Sequence, residues 1–292
     1  MPMMVIFNPV AGRRRAAYLW RVLDILVESG IRVSVAETQY AGHATELARM
    51  AALSNAPMVV AAGGDGTIAE VTNGLIGSDT ALGVIPLGTA NVLAYEYQLP
   101  RTARAIAAAL AYRRTTKLWP GLATLPHENH VFVQMFGVGF DGAVVHGINS
   151  SVKRALGKGA YVLQSLWQSM RYRFPVVRLT IDGQDHEACS VIISKGRLYG
   201  GNYILAPRAV PSMPGFQVIL FKNPGMMNAL LAGAALPLGL TSRCPGVEIR
   251  AASEIHFSTN DRSLFSQTDG DRLATTPSWV TNAAMPIELI TG

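Results

Sequence analysis

The chain has 292 residues, of which 49% are hydrophobic and only 15% charged. That composition excludes an intrinsically disordered chain and supplies enough apolar side chains for two ordinary domains or one large one. A formal net charge of +6 and a pI near 9.5 suit an anionic partner, but charge alone does not choose among nucleotide, acidic membrane and nucleic acid.

The first third alternates strand-like and helix-like segments. Strands are predicted over residues 3–8, 31–37, 58–62 and 81–85. Helices are predicted over 16–29, 44–53, 68–76, 90–97 and 103–112. Such alternation argues for parallel strands joined by helices. The pattern changes near Lys117. Strand-like runs follow at 130–136, 176–181, 188–194, 217–222, 247–251 and 254–258, with turn signals at Asp182-Gly183 and Asp269-Gly270. One amphipathic helix interrupts them at about 161–172. The prediction is an α/β nucleotide-binding domain over residues 1–117 and a mainly antiparallel second domain over 118–285, with no repeat or low-complexity linker between them.

The longest apolar run, 226–240, is broken by Asn228 and Pro237 and falls short of the roughly 20 residues that cross a bilayer. It is predicted as a buried helix, with a membrane-surface element as the second reading. Cys189 and Cys244 have neither a Cys-x-x-Cys spacing nor a zinc-like neighbourhood, so two free buried thiols are expected. The N-terminus runs directly into strand-like residues 3–7, which together with the thiols points to a cytoplasmic protein.

The run Gly63-Gly64-Asp65-Gly66-Thr67 lies between a strand and a helix. A glycine turn at a helix N-terminus presents bare backbone N–H groups to a phosphate. Thr67 and Glu70 have capping-box spacing, which accounts for those two residues but not for three glycines around an aspartate. Pro86-Leu87-Gly88-Thr89-Ala90-Asn91 repeats the strand-turn-helix junction after the next strand, although Thr89 by itself reads as an N-cap. Asn8-Pro9-Val10-Ala11-Gly12 follows the first strand. All three loops fall at the carboxyl edge of a parallel sheet, where such sheets bind ligands. Neither a dinucleotide fingerprint after the first strand nor a Walker-type lysine is present.

Asn8-Pro9 with Gly12, Gly42-His43-Ala44-Thr45, the Gly-Gly-Asp-Gly-Thr run with Glu70 and Asn73-Gly74, and Gly88-Thr89-Ala90-Asn91 together resemble the diacylglycerol kinase catalytic-domain family, which includes bacterial lipid kinases and sphingosine kinases. Gly139-Phe140-Asp141-Gly142, Gly157-Lys158-Gly159-Ala160-Tyr161, Tyr199-Gly200-Gly201 and Thr268-Asp269-Gly270-Asp271 continue the resemblance in the family's order over nearly the whole chain. It implies a lipid kinase with ATP against the glycine loops in an interdomain cleft and a C-terminal β-sandwich carrying the lipid pocket. It implies that residues 286–292 return to the first domain as a final strand. Nucleotide-binding positions map onto Asn8, Thr45, Gly64, Asp65, Gly66, Thr67, Glu70 and Thr89, and the proposed catalytic base onto Asp269. Magnesium accompanies ATP, with Asp271 as its candidate ligand. From local sequence alone, Asp269-Gly270 reads as an ordinary hairpin turn.

Three positions depart from the family pattern. Pro214-Gly215 stands where an Asp-Gly is usual, and the lost carboxylate belongs to a structural magnesium site in some members, so that second metal is not expected here. Asp271 replaces a glutamate, and Lys195 stands where an asparagine is frequent. The expected substrate is a membrane lipid, diacylglycerol first. A sphingoid base, another lipid, or a catalytically silent lipid- or nucleotide-binding protein are the alternatives. NAD kinases share the Gly-Gly-Asp-Gly-Thr run, but the Asn8-Pro9 start and the Gly88 loop argue against them. Arg113, Arg114 and Lys117 near Trp119, and Lys153, Arg154, Lys158, Arg171 and Arg173 around Trp167, read either as a solvated basic face or as a peripheral contact with anionic membrane. No nucleic-acid motif is present, and a homodimer is left open.

Overall fold

The computed structural model describes residues 2–12, 15–125, 129–147, 168, 170–258, 264–273 and 275–292. They form two compact units, Met1–Pro120 with Ala283–Gly292, and Gly121–Asn282.

In the first unit, β1 (Met3–Phe7), β2 (Val33–Glu37), β3 (Met58–Gly63) and β4 (Ala81–Pro86) lie parallel in the order β2-β1-β3-β4. Between and after them run α1 (Pro9–Gly12), α2 (Ala16–Glu28), α3 (His43–Leu53), α4 (Asp65–Leu75), α5 (Val92–Glu96) and α6 (Ala103–Tyr112), followed by β5 (Thr115–Leu118). Every residue of β3 is buried, as expected of a parallel strand covered on both faces. Alternate residues Met3, Val5 and Phe7 of β1 and Met58, Val60 and Ala62 of β3 share a core with Leu19, Leu23 and Leu26 of α2 and Ile106 and Leu110 of α6. Helices α3 and α4 pack together and against β1 and β3. Their close approach requires Gly74, where a Cβ would stand 2.4 Å from the Thr45 carbonyl oxygen.

The second unit is built from β6 (Gly121–Thr124), β7 (Asn129–Phe132), β8 (Met135–Gly139), α7 (Phe140–Gly147), β9 (Val177–Ile181), β10 (Gln184–Ala188), β11 (Ser190–Ser194), the short pair β12 (Leu198–Tyr199) and β13 (Tyr203–Ile204), β14 (Phe216–Phe221), α8 (Met226–Ala235), β15 (Val247–Ala252), β16 (Ile255–Phe257), β17 (Ser266–Thr268), β18 (Asp271–Leu273) and β19 (Trp279–Asn282). Two six-stranded sheets, β10-β9-β16-β19-β6-β7 and β15-β14-β11-β8-β17-β18, are antiparallel throughout. Their facing side chains, among them Leu179, Ile181 and Ile255 from one sheet and Phe136, Val138, Val191 and Val218 from the other, make one core. The unit is therefore an antiparallel β-sandwich. The last strand of the chain, β20 (Ile287–Ile290), belongs to the first unit, where it lies parallel to β4 and antiparallel to β5.

Three features differ from the sequence reading. Residues 130–136 are not one strand but β7 and β8, which belong to different sheets. The apolar run 226–240 yields a helix that is largely exposed: of α8 only Ala232 is buried, while Met227 is 72% exposed and Leu238, just beyond the helix, 71%. Cys189 is buried, but Cys244 is only partly so; both are free thiols. Of the amphipathic helix expected at 161–172, residues 161–167 and 169 lie outside the described residues, as do Lys153, Arg154 and Lys158, while 168, 170 and 171 are helical.

Candidate active site

In the first unit the predicted loops are bound to one another. Helix α4 begins inside the glycine run, with extended Gly64 as its N-cap, so Gly66 and Thr67 occupy its first turn. The first N–H groups of a helix have no intrahelical partner, and they carry the positive end of its dipole. The predicted capping box does not form. Thr67 Oγ1 instead accepts a hydrogen bond from Asn8 Nδ2 at 3.0 Å, and Glu70 Oε2 accepts one from Ala44 N at 3.2 Å. Thr45 Oγ1 donates to Glu70 O at 2.9 Å. The spacing is right for a box, but the partners come from the loops after β1 and before α3.

Asp65 ties this loop to the next one. Its Oδ1 accepts from Leu93 N at 3.3 Å, at the start of α5. Burial pushes the Asp65 carboxyl up, and the N–H groups of Leu93, Val92 and Asn91 act against that. Asn91 holds a left-handed conformation at φ 48° and donates from Nδ2 to Gly88 O at 2.8 Å. The two glycine loops touch backbone to backbone: a Cβ on Gly88 would stand 2.6 Å from Gly64 Cα. Thr89 is exposed in the bend of the second loop, between Gly88 and Asn91. Arg15 Nη1 donates to Pro86 O at 3.4 Å, which brings a cation to the same junction. Nothing in the local sequence singles Arg15 out.

Asp269 and Gly270 are the two central residues of the β17–β18 hairpin, with φ 47° and 87° and Thr268 paired to Asp271. These are the angles of a type I′ turn, which Asp-Gly favours. The Asp269 carboxylate points back into the unit. Its Oδ2 accepts from Val133 N at 2.7 Å, and its Oδ1 accepts from Gln134 N at 2.9 Å and Met135 N at 2.8 Å. Those three amides lie at and just after the break between β7 and β8, so this carboxylate holds the corner at which the chain passes from one sheet to the other. Asp271 is exposed. Among the described residues no group of three or more His, Cys, Asp or Glu side chains is placed to hold a metal ion.

The second unit holds a cavity of about 160 Å³. Its walls are apolar, from Phe140, Val144, Ile192, Leu205, Phe221 and Leu236, and α8 lines it with Ala229, Ala232 and Gly233. Asp141, Ser190 and Tyr199 supply polar groups. The Asp141 carboxylate accepts a hydrogen bond from the Tyr199 hydroxyl and another from Gln267 Nε2 at 2.7 Å. Burial pushes the Asp141 carboxyl up, while the two donors pull it down. A Cβ on Gly137 would collide with Asp141 Oδ2, so the glycine makes room for this carboxylate. Gln267 Oε1 in turn accepts from Gly270 N at 2.8 Å. Hydrogen bonds thus run from the cavity to the residue next to Asp269. Asp141 and Tyr199 lie in stretches that carry the resemblance, although the sequence reading gives them no role. Gln267 carries no sequence signal, since it matters only through the strand pairing that sets it beside Asp141.

Residues 2–121 match the family described as diacylglycerol kinase catalytic domain, and residues 134–291 match the YegS C-terminal NAD kinase beta sandwich-like domain. The chain belongs to this lipid kinase family. The protein named diacylglycerol kinase from Bacillus subtilis is 30% identical over 227 residues, 76% of this chain and 74% of that one. The Klebsiella pneumoniae protein named probable lipid kinase YegS-like is 28% identical over 260 residues, 86% of each chain. A crystal structure of a diacylglycerol kinase from Bacillus anthracis superposes with a TM-score of 0.76 at 22% identity, covering 100% of this chain and 97% of that one, which shows a shared fold. As a member of the lipid kinase family the chain is a kinase. No helix among its described residues is long and apolar enough to cross a membrane.

Proposed function

We propose that the protein transfers the γ-phosphoryl group of ATP to a hydroxyl of a membrane lipid, with a diacylglycerol-like molecule as the first substrate class. The observation that carries this reading is the apolar cavity whose polar end, Asp141 with Tyr199 and Gln267, is hydrogen-bonded through to the Asp269–Gly270 turn. Asn8, Thr45, Gly64, Asp65, Gly66, Thr67, Glu70 and Thr89 are the proposed nucleotide-binding set. The side chains of Asn8, Thr45, Asp65, Thr67 and Glu70 brace the loops, which leaves the backbone N–H groups at the start of α4 as the phosphate contacts. Magnesium would come with the nucleotide and would supply positive charge to offset that of its phosphates. Asp271 is the proposed protein ligand.

Asp269 is the proposed acceptor of the hydroxyl proton. Three backbone donors already share its charge, so it orients the hydroxyl more than it pulls on the proton. A loose phosphoryl-transfer transition state asks little more than that. The Asp141 carboxylate in the cavity also favours a second reading, a sphingoid base whose ammonium would face it. Incubation with γ-labelled ATP and an equimolar mixture of diacylglycerol and a sphingoid base separates the two, with products identified by mass. Label in phosphatidic acid is expected. Label only in a sphingoid phosphate selects the second reading, and no label in any lipid leaves a silent binding protein.

The lipid must reach the cavity, and α8 covers it with an outward face that carries Met226, Met227 and Leu231 and no charge. Peripheral attachment through this face, with basic residues adding roughly 1 kcal/mol each near an anionic surface, accounts for an apolar helix left in the open. Sedimentation with anionic vesicles should fall with added salt and fall further in Met227→Glu. Equal pelleting of the wild type with neutral and anionic vesicles, unchanged in Met227→Glu, overturns the attachment.

A further inference from the structure

Lys195 is one of the largest fully buried side chains in the protein, 1% exposed. Its Nζ donates to Met213 O at 3.0 Å, Gly215 O at 2.8 Å and Asn282 Oδ1 at 3.0 Å, and it lies 4.9 Å from the centroid of the Phe216 ring. Burial pulls the Lys195 amine down to about 7, and the three acceptors act against that, since together they use all three N–H bonds of an ammonium. A neutral amine would turn a lone pair toward one of those oxygens. All three acceptors are neutral carbonyl oxygens, the donor chemistry that also suits a hard divalent cation.

The resemblance places a structural magnesium at this turn in some relatives, and the residues here do not fit one. Pro214 offers no side-chain oxygen, and the carbonyls on either side of it already face the ammonium. A second cation would meet Lys195 at the same oxygens. We propose that Lys195 is a built-in cation that organises the 213–215 turn and makes the fold of this unit independent of free divalent ions.

The turn is connected to the rest of the site. Asn282 Oδ1 also accepts from Gly215 N at 2.8 Å, and Asn282 Nδ2 donates to Ser253 O at 3.2 Å. The backbone N–H of Lys195 donates to Gln134 O at 2.8 Å, and Gln134 N is one of the three amides held by Asp269. Lys195 is thus a positioning residue that braces the corner carrying Asp269. This inference stands apart from the choice of substrate, since it concerns the fold of the second unit.

The test uses the full chain without nucleotide. The wild type should melt at the same temperature in EDTA and in excess magnesium chloride. Lys195→Met keeps the aliphatic stem but takes this donor from the Met213 and Gly215 carbonyls and leaves Asn282 Oδ1 with Gly215 N alone, and should melt roughly 5–10 °C lower. Lys195→Asn combined with Pro214→Asp should be destabilised in EDTA and recover on addition of magnesium or manganese. A wild type that gains several degrees from magnesium alone overturns the proposal, and so does a Lys195→Met protein as stable as the wild type. If Lys195→Met does not fold at all, the double variant and the wild type carry the decision: recovery by metal in the one and indifference in the other support the built-in cation, and any other pairing overturns it.

Discussion

The glycine junctions of the first unit and the Asp269 corner of the second solve opposite problems. At the junctions, side chains expected to meet a ligand meet the protein instead: Asn8 the Thr67 hydroxyl, Thr45 the Glu70 backbone carbonyl, and Asp65 the Leu93 N–H at the start of α5. What they hold in place is backbone, and the loops approach so closely that Gly88 has no room for a Cβ. At the corner the roles reverse. The backbone supplies three N–H groups, and a single carboxylate gathers them. A backbone-built site tolerates changes in its bracing side chains one at a time. A corner built on one carboxylate does not.

The largest expected effect therefore falls on Asp269. Asp269→Asn preserves the size and the turn preference, but one amide oxygen cannot serve three donors, and the NH₂ group faces an N–H. The variant should lose about 2–4 kcal/mol of stability as well as turnover. Measuring both on one sample sharpens the comparison. A melting temperature equal to the wild type's would show that the corner stands without the carboxylate.

A smaller effect separates the two glycines of the first unit. Gly88→Ala forces its Cβ against Gly64 Cα, whereas a Cβ on Gly64 would meet Gly88 Cα at an ordinary 3.4 Å. Overpacking of the first kind costs about 1–3 kcal/mol. Gly88→Ala should weaken ATP binding in calorimetry by tenfold or more, and Gly64→Ala distinctly less. If the two lose affinity equally, space for the ligand rather than contact between the loops governs the site.

The smallest effect concerns pH. Burial raises the Asp141 carboxyl above its ordinary range. Over the interval from about 4 up to that raised value, the folded protein holds a proton that the unfolded chain has released, so this group's contribution to stability declines as pH rises through it. Asp141→Asn cannot titrate. The wild type's margin over Asp141→Asn should narrow on going from pH 4 to neutrality, by a shift on the order of 1–3 °C in Tm. A margin that widens reverses the sign and places a stabilising charge in the cavity.

Local pattern made the first unit legible. The 3.6-residue periodicity over 103–112 is that of α6, ended by Arg113 in a left-handed conformation, and the buried apolar run at 58–62 is β3. The break at 133–134 was illegible because its cause lies 135 residues away, in a carboxylate that local sequence reads only as a turn former. The run at 226–240 misled for a related reason. Hydrophobicity reports that a segment avoids water, not what will cover it, and α8 lies over a cavity with its other side open. Lys195 stood out only as an unusual residue at its position. Its three oxygens come from a turn and from the end of β19, which only the fold brings together.

The place of β20 bears on how the protein is made. The ribosome finishes β1 to β5 early, then synthesises the whole of the inserted unit, and only afterwards delivers the strand that pairs with both β4 and β5. Until then those two strands present open edges, the kind that recruit other chains. The nascent first unit must wait for residues 287–290, while the second has all of its strands before translation ends. Vectorial folding should thus run out of order, with the middle of the chain settling before its beginning, and a stop codon placed before residue 287 should do its damage in the N-terminal sheet.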